Sequence, residues 1–395
     1  MKPIHLFLFL VPFIPLISCA KHEKNKVTYI TQNIIDTVLH KNPYEVTFDS
    51  LDTDFIENSK STIEKFYTKR FGNNYSGSFL VAKNGKIIYE KYSGFAYKEK
   101  GDTINENTPL HVASISKVLT ATCVLKLVDQ NKLTLDQEVK SILPTFPNTE
   151  TTVRMLLTHR SGLKNYAFLA ENKNIWNKRT PLTNQDVLEI LANKNNNILE
   201  TKPGTKFQYC NTNYVLLALI VEKLTGETFD IALKNLILNP LGMENTFVFN
   251  DLNNKDQVSQ SYKENYKRTA WEFLDQTYGD KNVYTTPRDL LLFDKATYSD
   301  AFLSKQIKEE MFKGYSYERK GTRNYGLGVR LLEFENGKNY IFHTGWWHGN
   351  TSMYVTLRDE QVTFIAISNK YSRKPYEIKR LTNEFSENFS FDFKD

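Results

Sequence analysis

The sequence predicts an α+β fold in which both chain ends build one antiparallel sheet, flanked by helices, with a large helical subdomain inserted between them. β-rich runs occupy residues 76–96, and three more lie within residues 325–369. Between them, residues 131–317 consist of helical patterns and long polar loops. We therefore expect the sheet part to comprise about 46–130 and 318–395, with about 131–317 as the helical insertion.

The strands are justified by the turns that separate them. SGSFLVAKNGKIIYEKYSGFA carries Asn84-Gly85 between two β-rich runs, which is the strongest short-range signal of a hairpin. The C-terminal runs are separated in the same way at Asn336-Gly337 and at the RDE turn of residues 358–360. A helix-like segment from about Tyr376 closes the chain.

Two helices stand out between the strands. From Ser114 to about Asp129, apolar residues surround the helix axis almost completely, which is typical of a buried helix. The second helix is TNYVLLALIVEKLTG, residues 212–226, and it ends at a glycine, a common C-terminal signal.

The N-terminal segment predicts export. MKPIHLFLFLVPFIPLISCA has one early lysine and a short apolar run broken by prolines, which is typical of a secretory signal. A small residue followed by Cys19 resembles the lipobox of bacterial lipoproteins, and this implies cleavage before Cys19 and lipidation of its thiol. The alternative is an ordinary signal peptide with an incidental cysteine. We expect residues 1–18 to be the signal, 19–45 a polar tether and 46–395 the folded domain, held at the cell envelope outside the cytoplasm, facing the periplasm or the surface.

The composition limits the function classes. The chain has 395 residues and a formal net charge of +6, with lysine and arginine scattered along it, so we expect no nucleic-acid groove. We also expect a monomer that contacts the membrane only through its lipid. Cys123 and Cys210 would remain in the mature chain. A disulfide between them is an open alternative to two free thiols.

The stretch HVASISKVLT, residues 111–120, places two serines before a lysine. Residues three apart on a helix share a face, so Ser114 and Lys117 point the same way. Ser116 and Lys117 are adjacent and diverge by about 100°. The spacing nominates Ser114 as a nucleophile, although serine is also a preferred N-cap. A buried ammonium is costly without a partner or a function, which favours a role for Lys117.

Two further motifs carry polar side chains. Tyr209 and Asn211 are two residues apart just before the long helix. In an extended segment they share a side, and the alternative is a packed tyrosine beside a helix-capping asparagine. The motif His343-Thr344-Gly345 ends an apolar strand, where glycine lets a ligand approach the backbone closely.

S-x-x-K, Y-x-N and H-T-G occur in the order and spacing of serine β-lactamases and penicillin-binding proteins of the class C type. Five flanking stretches match the same family: MLLTHRSGL, PGTKFQYCNTNYVLLALIVEKLTG, NPLGMENT, TTPRDLLLF and YGLGV. The likeness covers about residues 50–372. The chain therefore resembles the β-lactamase-related serine hydrolase family, which implies a β-lactamase/transpeptidase-like fold.

The resemblance also implies roles for individual residues. Ser114 would attack a carbonyl carbon and form an acyl-enzyme that water then hydrolyses. Lys117 and Tyr209 would share the base role, and which of them takes the proton stays open. Asn211 would hold Lys117 and the substrate in register. The backbone N–H groups of Ser114 and Trp346 would form the oxyanion hole.

The third motif departs from the family pattern. Penicillin-recognising members usually have lysine at its first position, whereas this chain has His343. Histidine is mostly neutral near pH 7, so β-lactam recognition is in doubt. We expect His343, Thr344 and Gly345 to line the substrate site. The substrates would be D-amino-acid peptides, β-lactams or esters. The alternatives are a carboxylesterase of the same family and a non-hydrolytic, penicillin-binding-like sensor or binding module.

Other catalytic signatures are absent from the sequence. It contains no G-x-S-x-G, H-E-x-x-H, P-loop or dinucleotide-binding glycine pattern, so we expect no cofactor. We expect no metal site either, since His343 and His348 are five apart across a turn. His159 lies in the L-T-H-R-S-G stretch, and we expect it to serve as a hydrogen-bonding residue.

Overall fold

A computed structural model of the protein describes residues 43–387, 389 and 391. The signal segment of residues 1–18, Cys19 and nearly all of the tether lie outside these residues. Within the described part of the chain, no helix is both long enough and apolar enough to cross a membrane.

Seven strands form one antiparallel sheet in the order β2-β1-β12-β11-β10-β9-β8. Two small sheets, β3-β4 and β5-β7-β6, lie outside it. The strands are β1 (Gly77–Lys83), β2 (Lys86–Ser93), β3 (Phe95–Tyr97), β4 (Asp102–Thr103), β5 (Leu110–His111), β6 (Phe247–Val248), β7 (Val283–Thr285), β8 (Arg323–Tyr325), β9 (Arg330–Glu333), β10 (Asn339–Trp347), β11 (Asn350–Leu357) and β12 (Val362–Ser368). Strands from both ends of the chain therefore pair, as the predicted fold class requires.

The helices lie on both faces of this sheet. They are α1 (Thr53–Arg70), α2 (Ser116–Asp129), α3 (Val139–Ile142), α4 (Val153–Leu157), α5 (Tyr166–Ala170), α6 (Asn184–Ala192), α7 (Thr212–Thr225), α8 (Phe229–Leu233), α9 (Asn239–Leu241), α10 (Pro287–Ala296), α11 (Lys305–Met311) and α12 (Thr382–Phe385). A π-helical stretch, Lys234–Leu238, joins α8 to α9, and 3₁₀ turns occupy Lys98–Lys100, Ala113–Ile115, Leu252–Asn254 and Lys374–Leu381.

Two apolar cores separate three layers. The larger core lies between the sheet and the helical region and includes most of α2 and α7. The smaller core lies on the opposite face, beneath α1 and the C-terminal helical segments. The sheet is thus the middle layer, and the predicted burial of the helix after Ser114 is confirmed, since every residue from Ser116 to Leu127 is buried.

The predicted hairpins are confirmed. Asn84 and Gly85 connect β1 to β2 with backbone φ of 50° and 66°, the left-handed conformation that a tight hairpin turn needs. The other two predicted turns connect β9 to β10 and β11 to β12. The closing segment is also helical, although it begins as the 3₁₀ turn Lys374–Leu381.

Two elements differ from the prediction. The run YGLGVRLLEF, interpreted as a single strand, is split between β8 and β9. The reason is Gly328, which has φ of 88° and packs so closely on α2 that a Cβ there would lie 2.3 Å from Ala121 Cβ. Helix α1 was not predicted. Its interior buries only Ile63 and Tyr67, so its apolar stripe is too narrow to stand out in the sequence.

Cys123 and Cys210 are both buried free thiols. The disulfide that the sequence left open is therefore absent from the described chain, and both residues serve as small core side chains.

Candidate active site

Ser114 lies in the 3₁₀ turn Ala113–Ile115, directly before α2. Ala113 has φ of 49°, and its backbone N–H donates to His111 Nδ1 at 3.1 Å. Ser116 is fully buried, and its hydroxyl accepts a hydrogen bond from the Val283 backbone N–H at 3.0 Å. Ser114 is partly exposed, so the two serines have different environments: Ser116 ties the turn to β7, and Ser114 keeps part of its surface accessible.

Lys117 is fully buried. Its Nζ donates to Ser114 Oγ at 3.0 Å and to the backbone oxygen of Asp280 at 2.6 Å. Neither partner carries a charge, so the desolvation of an ammonium here is compensated only by dipoles and by the nearby rings of Tyr209 and Tyr214, at 5.2 and 5.6 Å. The proximity of Lys117 Nζ to Ser114 Oγ is the geometry that activates a serine.

The second motif lies beside this pair. Tyr209 OH and Asn211 Oδ1 are buried atoms without a hydrogen-bond partner within the protein. Asn211 occupies the N-cap position of α7 but its side chain makes no capping bond, so the helix-capping alternative does not describe it. The hydrogen bonds of Lys117 reach Ser114 and Asp280, not Asn211. Both motif side chains thus keep a free polar atom for another molecule.

His343 occupies a different position from the one expected of a substrate-contacting residue. It is fully buried, with Nε2 3.1 Å from Tyr325 OH and Nδ1 2.9 Å from the Thr344 backbone oxygen. Burial, and next the charges of Arg330 and Lys117, hold the pKa of His343 well below its ordinary value. His343 is therefore neutral, and its Nε2 lies within hydrogen-bond distance of Tyr325 OH.

Gly345 brings β10 against the turn that carries Ser114. A Cβ on Gly345 would lie 2.2 Å from the Val112 backbone oxygen, 2.3 Å from Ser352 Oγ and 3.1 Å from Ala113 Cβ. Ser352 Oγ donates to that same Val112 oxygen at 2.7 Å. Because Gly345 has no side chain, the backbone of β10 can approach the Val112 backbone closely. This contact sets the position of the next residue, Trp346, relative to Ser114.

The strand end after Gly345 is attached to the helical region through Asp275. This carboxylate, 1% exposed, accepts hydrogen bonds from Trp347 Nε1 at 2.7 Å and His348 Nε2 at 2.8 Å. Burial alone raises the pKa of Asp275, but the hydrogen bond and charge of His348, with other donors, bring it below its ordinary value. Lys281 Nζ lies 4.9 Å from the Trp347 ring centroid. Trp346 itself is 65% exposed.

His159 has the hydrogen-bonding role that the sequence predicted. Its Nδ1 accepts from the Cys210 backbone N–H at 3.1 Å, and its ring lies 4.3 Å from that of Tyr209. Burial, followed by the charge of Lys117, keeps the pKa of His159 well below its ordinary value. A neutral imidazole therefore packs beneath the Y-x-N motif and fixes its backbone.

Arg330 is the site residue that sequence reasoning missed. Its guanidinium carbon lies 4.7 Å from the Tyr209 ring centroid and 5.9 Å from that of Tyr325. Its Nε is buried without a hydrogen-bond partner within the protein. The signal was an arginine within the β-rich run YGLGVRLLEF. β9 is a neighbour of β10. Arg330 therefore places a positive charge close to the second and third motifs, where His343 is neutral.

This chain is similar to known proteins in sequence and in fold. The family model described as Beta-lactamase matches residues 68–388. Penicillin-binding protein 4* of Bacillus subtilis (strain 168) is 31% identical over 321 residues, which are 77% of this chain and 70% of that protein. A teichoic acid D-alanine hydrolase of Staphylococcus aureus is 27% identical over 55% of this chain and 52% of its own length. The solved penicillin-binding protein from Bacillus halodurans superposes with a TM-score of 0.70 at 21% identity, covering 83% of this chain and 99% of that one.

Proposed function

The chain belongs to the Beta-lactamase family of serine hydrolases, and we propose that Ser114 is its nucleophile and Lys117 its general base. The observation that carries this proposal is the 3.0 Å contact between Lys117 Nζ and Ser114 Oγ, with Lys117 fully buried. Lys117 Nζ takes the Ser114 proton as the oxygen attacks the carbonyl carbon of an ester or amide.

The remaining steps use groups around this pair. The carbonyl oxygen becomes an oxyanion held by the backbone N–H groups of Ser114 and Trp346. The proton then passes to the leaving group, through Lys117 or Tyr209, and an acyl-Ser114 ester remains. Water attacks this ester, releases the carboxylic acid and restores the Ser114 hydroxyl. Asn211 offers its unpartnered side-chain oxygen to an N–H of the substrate.

We propose that Arg330 supplies the fixed positive charge that His343 lacks. An arginine stacked on Tyr209 with a free Nε suits a carboxylate close to the scissile bond. This favours a peptide that ends in a D-amino acid over a simple ester. One relative is named teichoic acid D-alanine hydrolase, and this name also points to D-alanyl groups.

Edge pairing supports a peptide-like substrate. Within the described chain, β9 pairs with β10 only over Asn339–Phe342, while β11 covers the opposite edge through Trp347. An extended substrate can therefore add to β10 beside the third motif, which is a common mode of peptide recognition.

A substrate panel tests the proposal. The panel comprises a nitrophenyl ester, a chromogenic cephalosporin and a D-alanyl-D-alanine peptide, with Ser114→Ala, Ser116→Ala and Arg330→Gln as variants. We expect Ser114→Ala to abolish turnover and acyl-adduct mass, and Ser116→Ala to keep the adduct. Arg330→Gln should lose at least tenfold more kcat/KM on the peptide than on the ester. Turnover of the ester alone would favour the carboxylesterase, and an adduct that never turns over would favour the sensor.

We also propose that the protein is a monomer anchored at the cell envelope by a lipid on Cys19. The support is the lipobox-like sequence together with relatives among the penicillin-binding proteins. Growth with an alkyne-tagged fatty acid should label the wild type and leave Cys19→Ala unlabelled. Light scattering of the domain from residue 46 measures the oligomeric state.

A further inference from the structure

The basic residues that look scattered in the sequence gather around the cleft at Arg330. A cavity of about 640 Å³ is lined by Arg330 and by four more cations: Lys206, Arg319, Lys320 and Arg323. The one acidic residue in its wall, Glu318, forms an ion pair with Arg160. This cavity therefore has a strong positive excess.

A second cavity continues from the first. It has a volume of about 560 Å³ and shares Arg323 and Arg330 with its neighbour. It adds one further cation, Lys379, and it reaches Thr344 of the third motif. The basic surface thus continues from Arg330 past Thr344, along residues such as Phe342 and Tyr376 that pack against the smaller core.

Two other cavities of the described chain have no such excess. A cavity of about 600 Å³ that includes Lys305 and Asp359 is lined by four basic and four acidic side chains. Another of about 800 Å³, near Asp102 and Asp256, has one basic and two acidic side chains. The chain as a whole has 51 basic and 45 acidic side chains, so a cavity wall with five basic side chains and one acidic side chain departs from the average composition.

The loop that carries three of these cations is held in place at its base. Asn324 Oδ1 accepts backbone hydrogen bonds from Tyr315 at 3.0 Å and Ser316 at 2.9 Å. Arg160 donates to the Tyr315 backbone oxygen at 3.1 Å. Residues 318–323 are exposed at its tip, where their charges meet the solvent in front of the cleft.

We propose that the acyl donor is polyanionic: one negative group pairs with Arg330, and further carboxylates or phosphates lie along Lys206, Arg319, Lys320 and Arg323. The proposal rests on the hydrolase function above and names the substrate class of that same site. Cations that line a cleft raise the local concentration of anionic substrate and speed association by about 10–10³-fold at low ionic strength.

A charge series of substrates tests this proposal. The probes are D-alanyl esters whose leaving groups carry zero, one, two or three carboxylates, and a second arm in which phosphate esters replace the carboxylates. kcat/KM is measured between about 0.01 M and about 1 M salt, over which the Debye length falls from about 30 Å to about 3 Å. For the wild type we expect kcat/KM to rise at least tenfold from the neutral to the trianionic probe at low salt, and the rise to vanish at high salt. The arm with the larger rise identifies the anion.

Two triple variants distinguish the effect of the charge at the cavity from the effect of the overall charge of the protein. One combines Arg319→Gln, Lys320→Gln and Arg323→Gln. Its matched control combines Lys60→Gln, Lys65→Gln and Lys69→Gln, three exposed lysines of α1 that line neither cavity. The cleft variant should reduce the trianionic-to-neutral ratio of kcat/KM at least tenfold, and the α1 variant should leave that ratio unchanged.

Two results overturn the proposal: a wild-type kcat/KM independent of probe charge, or the same ratio in both triple variants. The hydrolase function fails separately, through absence of Ser114-dependent turnover of the neutral ester.

Discussion

Gly345→Ala tests whether β10 positions the oxyanion hole. The added methyl would lie 2.2 Å from the Val112 backbone oxygen, whereas ordinary Cβ contacts begin near 3.4 Å. The separation between β10 and the Ser114 turn must therefore grow by about 1.2 Å, the difference between those two distances. The neighbouring hydrogen bond from Ser352 Oγ to Val112, 2.7 Å long, joins β11 to the same turn and is disturbed as well.

This displacement is expected to lower kcat. Loss of one oxyanion donor lowers kcat by about 10²–10³-fold, or about 2.7–4 kcal/mol, and a misplacement of about 1 Å costs a similar factor. We expect Gly345→Ala to lose about 10²-fold in kcat, since the Trp346 N–H is moved and not removed. Overpacking also destabilises the fold by about 1–3 kcal/mol, so the assay belongs well below the melting transition.

The assay is steady-state hydrolysis of the neutral ester, with circular dichroism and a thermal melt for each variant. Trp346→Ala is the control: it keeps the backbone N–H and removes a side chain that is 65% exposed, so kcat should change only a few-fold. The reasoning is refuted if Gly345→Ala keeps the wild-type kcat, or if Trp346→Ala loses as much activity as Gly345→Ala.

Three further predictions concern the same site. Because the pKa of His343 is lowered in the folded state, the unfolded chain binds more protons below about pH 6.5. The contribution of neutral His343 to the free energy of unfolding is therefore fully present above that pH. It is lost as the pH falls, by up to about 1.4 kcal/mol per pH unit. His343→Gln should make the decline in the free energy of unfolding from neutral to acidic pH smaller, as measured by urea unfolding. Asp275→Ala leaves buried donors of Trp347 and His348 unpaired and should cost about 3 kcal/mol in the same measurement, and a loss below about 1 kcal/mol would contradict the attachment of the strand end. Lys117→Met should slow acylation by about 10²–10⁴-fold in stopped-flow mixing, and an unchanged rate would exclude it as the base.

The predictions that agree with the structure came from local sequence patterns. The contact between Ser114 and Lys117 follows from helix spacing alone, and the hairpin at Asn84-Gly85 follows from turn chemistry. Both depend on residues within a few positions of each other. The all-round apolar pattern from Ser116 to Leu127 likewise predicts burial without knowledge of what surrounds it.

The features of the site that were not predicted from the sequence depend on long-range contacts. Arg330 reaches Tyr209 because β9 and α7 approach the same cleft, and Asp275 meets Trp347 across a separation of 72 residues. Nothing in either segment indicates its partner. His343 illustrates the same point, since motif position suggests a ligand contact whereas its burial beside Tyr325 depends on how β8 folds back. Spacing predicts which side chains share a face, and only the assembled sheet determines what they face.

The pairing of β1 with β12 has a consequence for how the protein is made. Gly77 lies opposite Ser368, so the central strands of the sheet come from opposite ends of the chain. A nascent chain that lacks the last strands has the turn that carries Ser114 but no β10 to lie beside it. Acylation competence must therefore arrive with the final residues, and pairing over such a separation is slow. The order of synthesis thus delays acylation competence until the strands at both ends of the sheet have been made.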